Sequence, residues 1–170
     1  MKKHLTTRNI VLCGIVAALY ITLVGIFHFI SFGEFQIRVA EALTVLPFMF
    51  PITAIGVFIG ALLGNMIWGF GVFDWVIGSS ATLIAAMMTA WMARKVPIKY
   101  FAPIPPIVIN ALLVPLILLI YGSSQGYWFL AASVMVGQMF AAAGLGLPLL
   151  TVLQKIPALK EWSDEDRADA

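Results

Sequence analysis

Few side chains in this chain could do chemistry, and the charged ones lie close together. Outside the last ten residues, the acids are Glu34, Glu41 and Asp74, and Arg38 accompanies them. Arg38 and Glu41 stand three residues apart, so on a helix they share one face. Two readings follow: an ion pair that neutralises itself, or a pair that opens to bind a ligand. Charges in an apolar medium persist where they pair, face water or bind something, so this cluster predicts a solute site.

Neutral polar and aromatic side chains extend the cluster into the chain. Amides and hydroxyls can line a pocket or simply bond neighbouring helices, and tryptophans can stack on a flat ligand or sit in an interfacial belt. These residues are predicted to lie together, from the acids at the outer face toward the middle of the membrane. Such an arrangement favours a pocket for a planar, donor-rich molecule. The predicted substrate-binding residues are Arg38, Glu41, Asn65, Trp68, Asp74, Trp75, Ser79, Asn110 and Gln138.

Sequence patterns of catalysis and ATP hydrolysis are missing. The chain has no Gly-x-x-x-x-Gly-Lys-Ser/Thr phosphate loop, no His-Glu-x-x-His and no Gly-x-Ser-x-Gly. Its single cysteine, Cys13, allows no internal disulfide and no Cys/His metal cluster. We therefore expect no enzyme activity, metal, cofactor or nucleic-acid partner, and energy for any transport must come from a gradient or a partner.

Composition sets the medium in which these residues work. Of 170 residues, 62% are hydrophobic and 11% charged, with mean hydropathy +1.01. Such a chain is expected to be an integral membrane protein in lipid, and its length admits about six helical spans. The basic start followed by apolar residues resembles a signal peptide but is too long, so we expect an uncleaved first span. The predicted spans are 10–30, 37–50, 52–69, 74–93, 103–121 and 127–153.

The second span and the charges refine this all-α, six-helix prediction. Residues 37–50 reach about 21 Å as an α-helix, short of the core, so a short or bent helix is expected. With both termini cytoplasmic, nine of the ten basic residues lie inside and only Arg38 outside. The nine are Lys2, Lys3, Arg8, Arg94, Lys95, Lys99, Lys155, Lys160 and Arg167. The membrane domain is placed at 1–158, and 159–170 is expected to be a disordered acidic tail.

Small residues recur at four-residue spacing on two spans. Gly56, Gly60 and Gly64 form one stripe, and Gly14 and Ala18 share the same spacing on the first span. Such stripes let helix backbones approach closely. Spacing leaves open whether the partner is a helix of this chain or another subunit.

Several segments together resemble the QueT-type queuosine-precursor transporters, the substrate-binding S-components of energy-coupling factor (ECF) importers. The likeness runs from the first helix to residues 146–150. Its segments are Phe35-Gln36-Ile37-Arg38-Val39-Ala40-Glu41-Ala42-Leu43-Thr44, Gly60-Ala61-Leu62-Leu63-Gly64-Asn65, Asp74 with Gly78-Ser79-Ser80-Ala81-Thr82-Leu83, and Pro105-Pro106-Ile107-Val108-Ile109-Asn110-Ala111-Leu112.

This resemblance implies a function and partners. A six-helix S-component in the bacterial cytoplasmic membrane would capture a 7-deazaguanine, such as queuine or its aminomethyl precursor, from outside. It would dock on a transmembrane coupling subunit driven by two cytoplasmic ATPases, with Gly14 and Ala18 at the docking face. Gly137-Gln138 departs from the Gly-Glu pair expected in the last helix, which removes a negative charge near the pocket.

The residues fit such a ligand, and alternatives remain. Glu41, or failing that Asp74, can accept hydrogen bonds from a deazaguanine edge, Arg38, Asn65 or Asn110 can donate to its carbonyl, and the tryptophans can stack on it. The alternatives are an S-component for another vitamin or nucleobase, a gradient-driven carrier or channel that dimerises through the glycine stripe, and an intramembrane enzyme using Glu41, Asp74 and His28.

Overall fold

The computed structural model describes residues 6–32 and 36–168, with side chains as far as residue 165. Over these residues the regular structure is helical, which confirms the all-α prediction. Glu34, Phe35, Lys2 and Lys3 lie outside the described residues. The main helices are α1 (Thr7–Ile26), α2 (Val39–Phe48), α3 (Thr53–Trp68), α4 (Asp74–Lys95), α5 (Lys99–Ile120), α6 (Tyr127–Gln154) and α7 (Pro157–Ala168), and a short helix, His28–Ser31, follows α1.

Four of the described helices are long and apolar enough to cross a lipid bilayer. These are α1, α4, α5 and α6, whereas α2 and α3 are apolar but shorter. Large apolar side chains on the outside of the bundle, including Ile10, Trp91 and Val136, are more than half exposed. Such a surface is stable in lipid and not in water, so the protein is an integral membrane protein.

Helix α2 is a 3-10 helix at the centre of the bundle. Its ten residues rise about 2.0 Å each, so it is roughly 20 Å long, and the prediction of a short second helix is confirmed. Residues 40–48 are all buried, including Glu41 and Thr44. The 3-10 form was not predicted, because burial on every side holds this segment in a conformation that local preference disfavours beyond a few residues.

The glycine stripe of α3 packs against α1 of the same chain. A Cβ atom at Gly56 would lie 2.6 Å from the carbonyl oxygen of Cys13, and one at Gly60 would lie 2.6 Å from Cβ of Tyr20. A Cβ atom at Gly64 would lie 3.3 Å from the Val24 side chain. The sequence did not decide which helix packs on this stripe, and the structure shows that it is α1. Because α1 covers the stripe, the stripe cannot form the interface of a homodimer.

Both ends of the described chain meet at one end of the bundle. The guanidinium of Arg8 lies 3.7 Å from the Trp162 ring centroid, and that ring lies 4.7 Å from the ring of Phe50. The Ser163 hydroxyl donates to the carbonyl oxygen of Met49 at 3.0 Å.

The C-terminal segment is helical, in contrast to the predicted disorder. Its composition is polar, but Leu159 and Trp162 lie on one face of α7 and pack against a buried apolar cluster, while Glu161 and Glu165 point outward. Because this face is buried only in the assembled bundle, composition alone did not reveal the helix. The domain boundary after residue 158 stays a prediction.

Candidate functional site

The Glu41 carboxylate is the centre of a buried polar cluster. Glu41 is 1% exposed. Its Oε1 atom accepts hydrogen bonds from the Tyr20 hydroxyl at 2.5 Å and the Thr82 hydroxyl at 3.2 Å. Its Oε2 atom accepts one from the Asn110 amide at 3.2 Å. Donors from α1, α4 and α5 thus converge on a carboxylate of α2, and charge in the low-dielectric interior is stabilised by hydrogen bonds to neutral groups.

A second cluster joins α3 to the start of α4. The Asn65 side-chain amide donates to the Asp74 backbone carbonyl at 3.0 Å and to the Ser79 hydroxyl at 3.1 Å. The Asp74 carboxylate accepts from the Phe70 backbone N–H at 2.9 Å. Residues 74–78 form a π-helical turn, a feature that often occurs at functional sites. Since Ser79 and Thr82 are three apart on α4, the two clusters are neighbours.

Arg38 is buried near the two acidic residues. It is 6% exposed, and its guanidinium sits 4.8 Å from the Phe32 ring centroid. Its positive charge acts on the carboxylates of both Glu41 and Asp74. Among the described residues, the hydrogen bonds to Glu41 come from neutral donors rather than from Arg38. Glu41 is therefore not held by Arg38 in a closed hydrogen-bonded pair.

An aromatic group surrounds this end of the bundle. Phe32 and Phe70 meet edge to face at 6.1 Å, and Tyr121 contacts the rings of Phe70 and Phe73 in the same way. The Tyr121 hydroxyl also accepts from the Phe73 backbone N–H at 3.2 Å. These contacts fix the segment between α3 and α4 beside Arg38 and Asp74, and they are not merely a belt in the membrane interface.

The remaining predicted residues fall into different surroundings. Trp68 packs on α1, where a Cβ atom at Gly25 would lie 2.8 Å from its ring. The indole N–H of Trp75 is buried without a hydrogen-bond partner among the described residues. The side-chain oxygen of Gln138 is likewise buried without a hydrogen-bond partner among the described residues, and Gln138 as a whole is 6% exposed. His28 is exposed and contacts the Gly25 carbonyl oxygen, away from the clusters.

Two members of the Glu41 cluster were missing from the predicted site. Tyr20 is fully buried in α1, and Thr82 is fully buried in α4. A tyrosine in the middle of a long apolar span needs a partner for its hydroxyl, which was the available signal. Thr82 stands one turn after Ser79, so its place on the same face was readable from spacing.

Comparison with protein families identifies the chain. The family model described as QueT transporter matches residues 10–155, well over half of the 170 residues. The chain belongs to the QueT transporter family. It is therefore a membrane transporter and not an enzyme. The comparisons with curated proteins and with solved structures each found no match.

Membership of the QueT family puts the polar clusters in a functional context. The match covers α2 to α6 and α1 from residue 10 onward, so each residue of the two clusters lies within it. In a transporter, buried charges shared between helices are the groups expected to meet a polar solute. The position of Arg38, Glu41 and Asp74 in this QueT transporter fits that role.

Proposed function

We propose that this chain is the S-component of an ECF-type importer and that it binds a queuosine precursor. The ligand is a 7-deazaguanine, such as queuine or its aminomethyl precursor. The observation that carries the proposal is the burial of Arg38, Glu41 and Asp74 in the same part of the bundle. The positive charge of Arg38 acts on both carboxylates. A planar base with donor and acceptor edges matches such a group.

The proposed site is built from the residues indicated by the sequence. Glu41, Asn110, Asn65, Ser79 and Asp74 belong to the two hydrogen-bonded clusters. Arg38, Trp75 and Gln138 each carry a buried polar atom without a hydrogen-bond partner among the described residues. Trp68 would supply an aromatic wall next to α1.

The proposed topology has six membrane crossings with both termini in the cytoplasm. Arg8 contacts Trp162, which brings the two ends of the chain together. The Lys99 ammonium donates to the Thr151 hydroxyl at 3.0 Å, which ties the basic start of α5 to the end of α6. Basic residues thus gather at one end of the bundle, the pattern of a cytoplasmic face. The polar clusters then open toward the outside of a bacterial cytoplasmic membrane.

The proposed partners are a transmembrane coupling subunit and two cytoplasmic ATPases. Gly14 and Ala18 on α1 are both exposed, and a Cβ atom at Gly14 would meet nothing within 4 Å. A groove of about 340 Å³ is lined by Gly14, Cys13, Ala17 and Ile55 among others. Small residues on an open helix face allow a second helix to approach closely.

Ligand binding by the purified chain in detergent tests the proposal. Queuine and its aminomethyl and cyano precursors are titrated against adenine, guanine and riboflavin. We expect tight binding of at least one deazaguanine and weak binding of guanine. Selective binding of riboflavin or adenine would assign another solute, and binding of none of the compounds would overturn the proposed function.

A further inference from the structure

Three of the predicted site residues carry a buried polar atom without a partner. The atoms are Nε of Arg38, Nε1 of Trp75 and Oε1 of Gln138, each without a hydrogen-bond partner among the described residues. Arg38 and Gln138 are each 6% exposed. Buried polar groups are nearly always paired, because leaving one unpaired is costly. Two donors and one acceptor are therefore available to a ligand.

The Glu41 carboxylate is largely occupied by the protein, and the Asp74 carboxylate is occupied in part. An ionised carboxylate has about four acceptor positions, and Glu41 already accepts from Tyr20, Thr82 and Asn110. Accepting two hydrogen bonds from one ligand edge would require Glu41 to release a partner. Asp74 likewise accepts from the Phe70 backbone at 2.9 Å, which holds the loop before α4.

Backbone packing brings Gln138 and Arg38 to the same place. A Cβ atom at Gly137 would overlap the carbonyl oxygen of Gln36, so the chain before α2 lies directly on α6. The same position would be 3.5 Å from Cα of Ile37. Gln138 follows Gly137 and Arg38 follows Ile37, so both flank this contact. Trp75 lies in the π-helical turn 74–78, between the Asp74 carbonyl and the Ser79 hydroxyl, both of which accept from Asn65.

We infer that Arg38, Trp75 and Gln138 contact the ligand directly, while Glu41 and Asp74 are positioning residues that hold the surrounding helices. The inference rests on the proposed function and deepens it. Arg38 and the Trp75 indole donate to acceptors of the base, such as its 6-oxo group and a ring nitrogen. The Gln138 oxygen accepts from an N–H of the base or of its 7-substituent.

Two variants that each remove one polar group test this division of roles. Gln138→Met removes the amide at similar volume, and Trp75→Phe removes the indole N–H but keeps an aromatic ring. We expect each to raise the Kd for the deazaguanine at least about tenfold. The Tm of ligand-free Gln138→Met should be unchanged or higher, because an unpaired buried group has been removed, whereas the smaller ring of Trp75→Phe lowers the Tm by leaving a cavity. Matched controls are Gln154→Met at the other end of α6 and exposed Trp91→Phe on α4, which should bind like the wild type.

The outcomes separate this inference from the proposed function. If the wild type binds a deazaguanine and both variants bind it within about threefold, the inference is overturned and the proposed function stands. If both variants lose affinity and ligand-free Gln138→Met also shows a lower Tm, the atoms are structural and the inference is overturned. If the wild type binds no deazaguanine, the proposed function fails and takes the inference with it.

Discussion

At the scale of the residue, the hydrogen bonds of Glu41 decide what this carboxylate does in the unliganded protein. Its three donors come from three helices that are far apart in sequence, and each is buried. These hydrogen bonds tie α1, α4 and α5 to the carboxylate on α2 and so organise the helices around it. On the proposed division of roles, Glu41 acts on a ligand mainly through the shape of the site.

Glu41→Gln should lower both stability and ligand affinity. A carboxamide has only one acceptor oxygen, so its NH₂ group must face either Asn110 or the hydroxyls of Tyr20 and Thr82. Leaving a buried donor unpaired costs about 1–3 kcal/mol of unfolding free energy. We expect a lower Tm and about a tenfold weaker Kd, measured by thermal shift and titration.

Glu165→Gln, an exposed site on α7, is the control for this substitution and should change neither quantity. Affinity of the Glu41→Gln protein within about threefold of wild type would contradict any role of Glu41 in the site.

At the scale of the element, the contact between α1 and α3 is set by glycines whose missing side chains leave room for a neighbouring backbone. Tyr20 lies on α1 at this contact and also donates to Glu41. The packing of two helices therefore places a donor of the central cluster. A substitution at this helix contact should therefore change the geometry of the Glu41 cluster even though it alters no residue of that cluster.

Gly60→Ala should destabilise the protein, whereas Gly14→Ala should not. The added methyl at Gly60 would lie 2.6 Å from Cβ of Tyr20, so α1 and α3 must separate, at about 1–3 kcal/mol. The same substitution at Gly14 meets nothing within 4 Å, and alanine is the better helix former by about 1 kcal/mol. Chemical or thermal unfolding in detergent measures both variants, and equal stability of the two would show that the contact is loose.

At the scale of the whole molecule, the docking face proposed for a coupling subunit lies on the outer surface of α1. Gly14 and Ala18 are exposed there, whereas the glycines of α3 are covered by α1. The proposed docking face and the proposed ligand site therefore involve different residues.

Gly14→Leu should impair ATP-dependent uptake without impairing ligand binding. A large side chain on the exposed stripe of α1 prevents close approach of a partner helix. We expect loss of most uptake in vesicles containing the coupling subunit and ATPases, with the Kd of the purified chain within about threefold of wild type. Ala132→Leu, exposed on α6, is the matched control and should transport normally. Equal uptake by both variants would place docking elsewhere.

The sequence by itself determined the class of the protein and most of its elements. Composition required lipid as the solvent, apolar runs located the helices to within a few residues, and the charges Arg38, Glu41 and Asp74 marked the polar end. These properties are local or additive, so they can be read along the chain. The predicted first span, 10–30, corresponds to α1, which ends at Ile26, and to the short helix His28–Ser31 that follows it.

Only the tertiary structure decided how these parts are used. It assigned the glycine stripe to α1, added Tyr20 and Thr82 to Glu41, and folded the acidic tail onto Met49 and Phe50. Hydrogen-bond partners and covered faces depend on which helices become neighbours. Residues 21 to 69 positions apart meet at Glu41, and no spacing rule along one helix can predict such contacts.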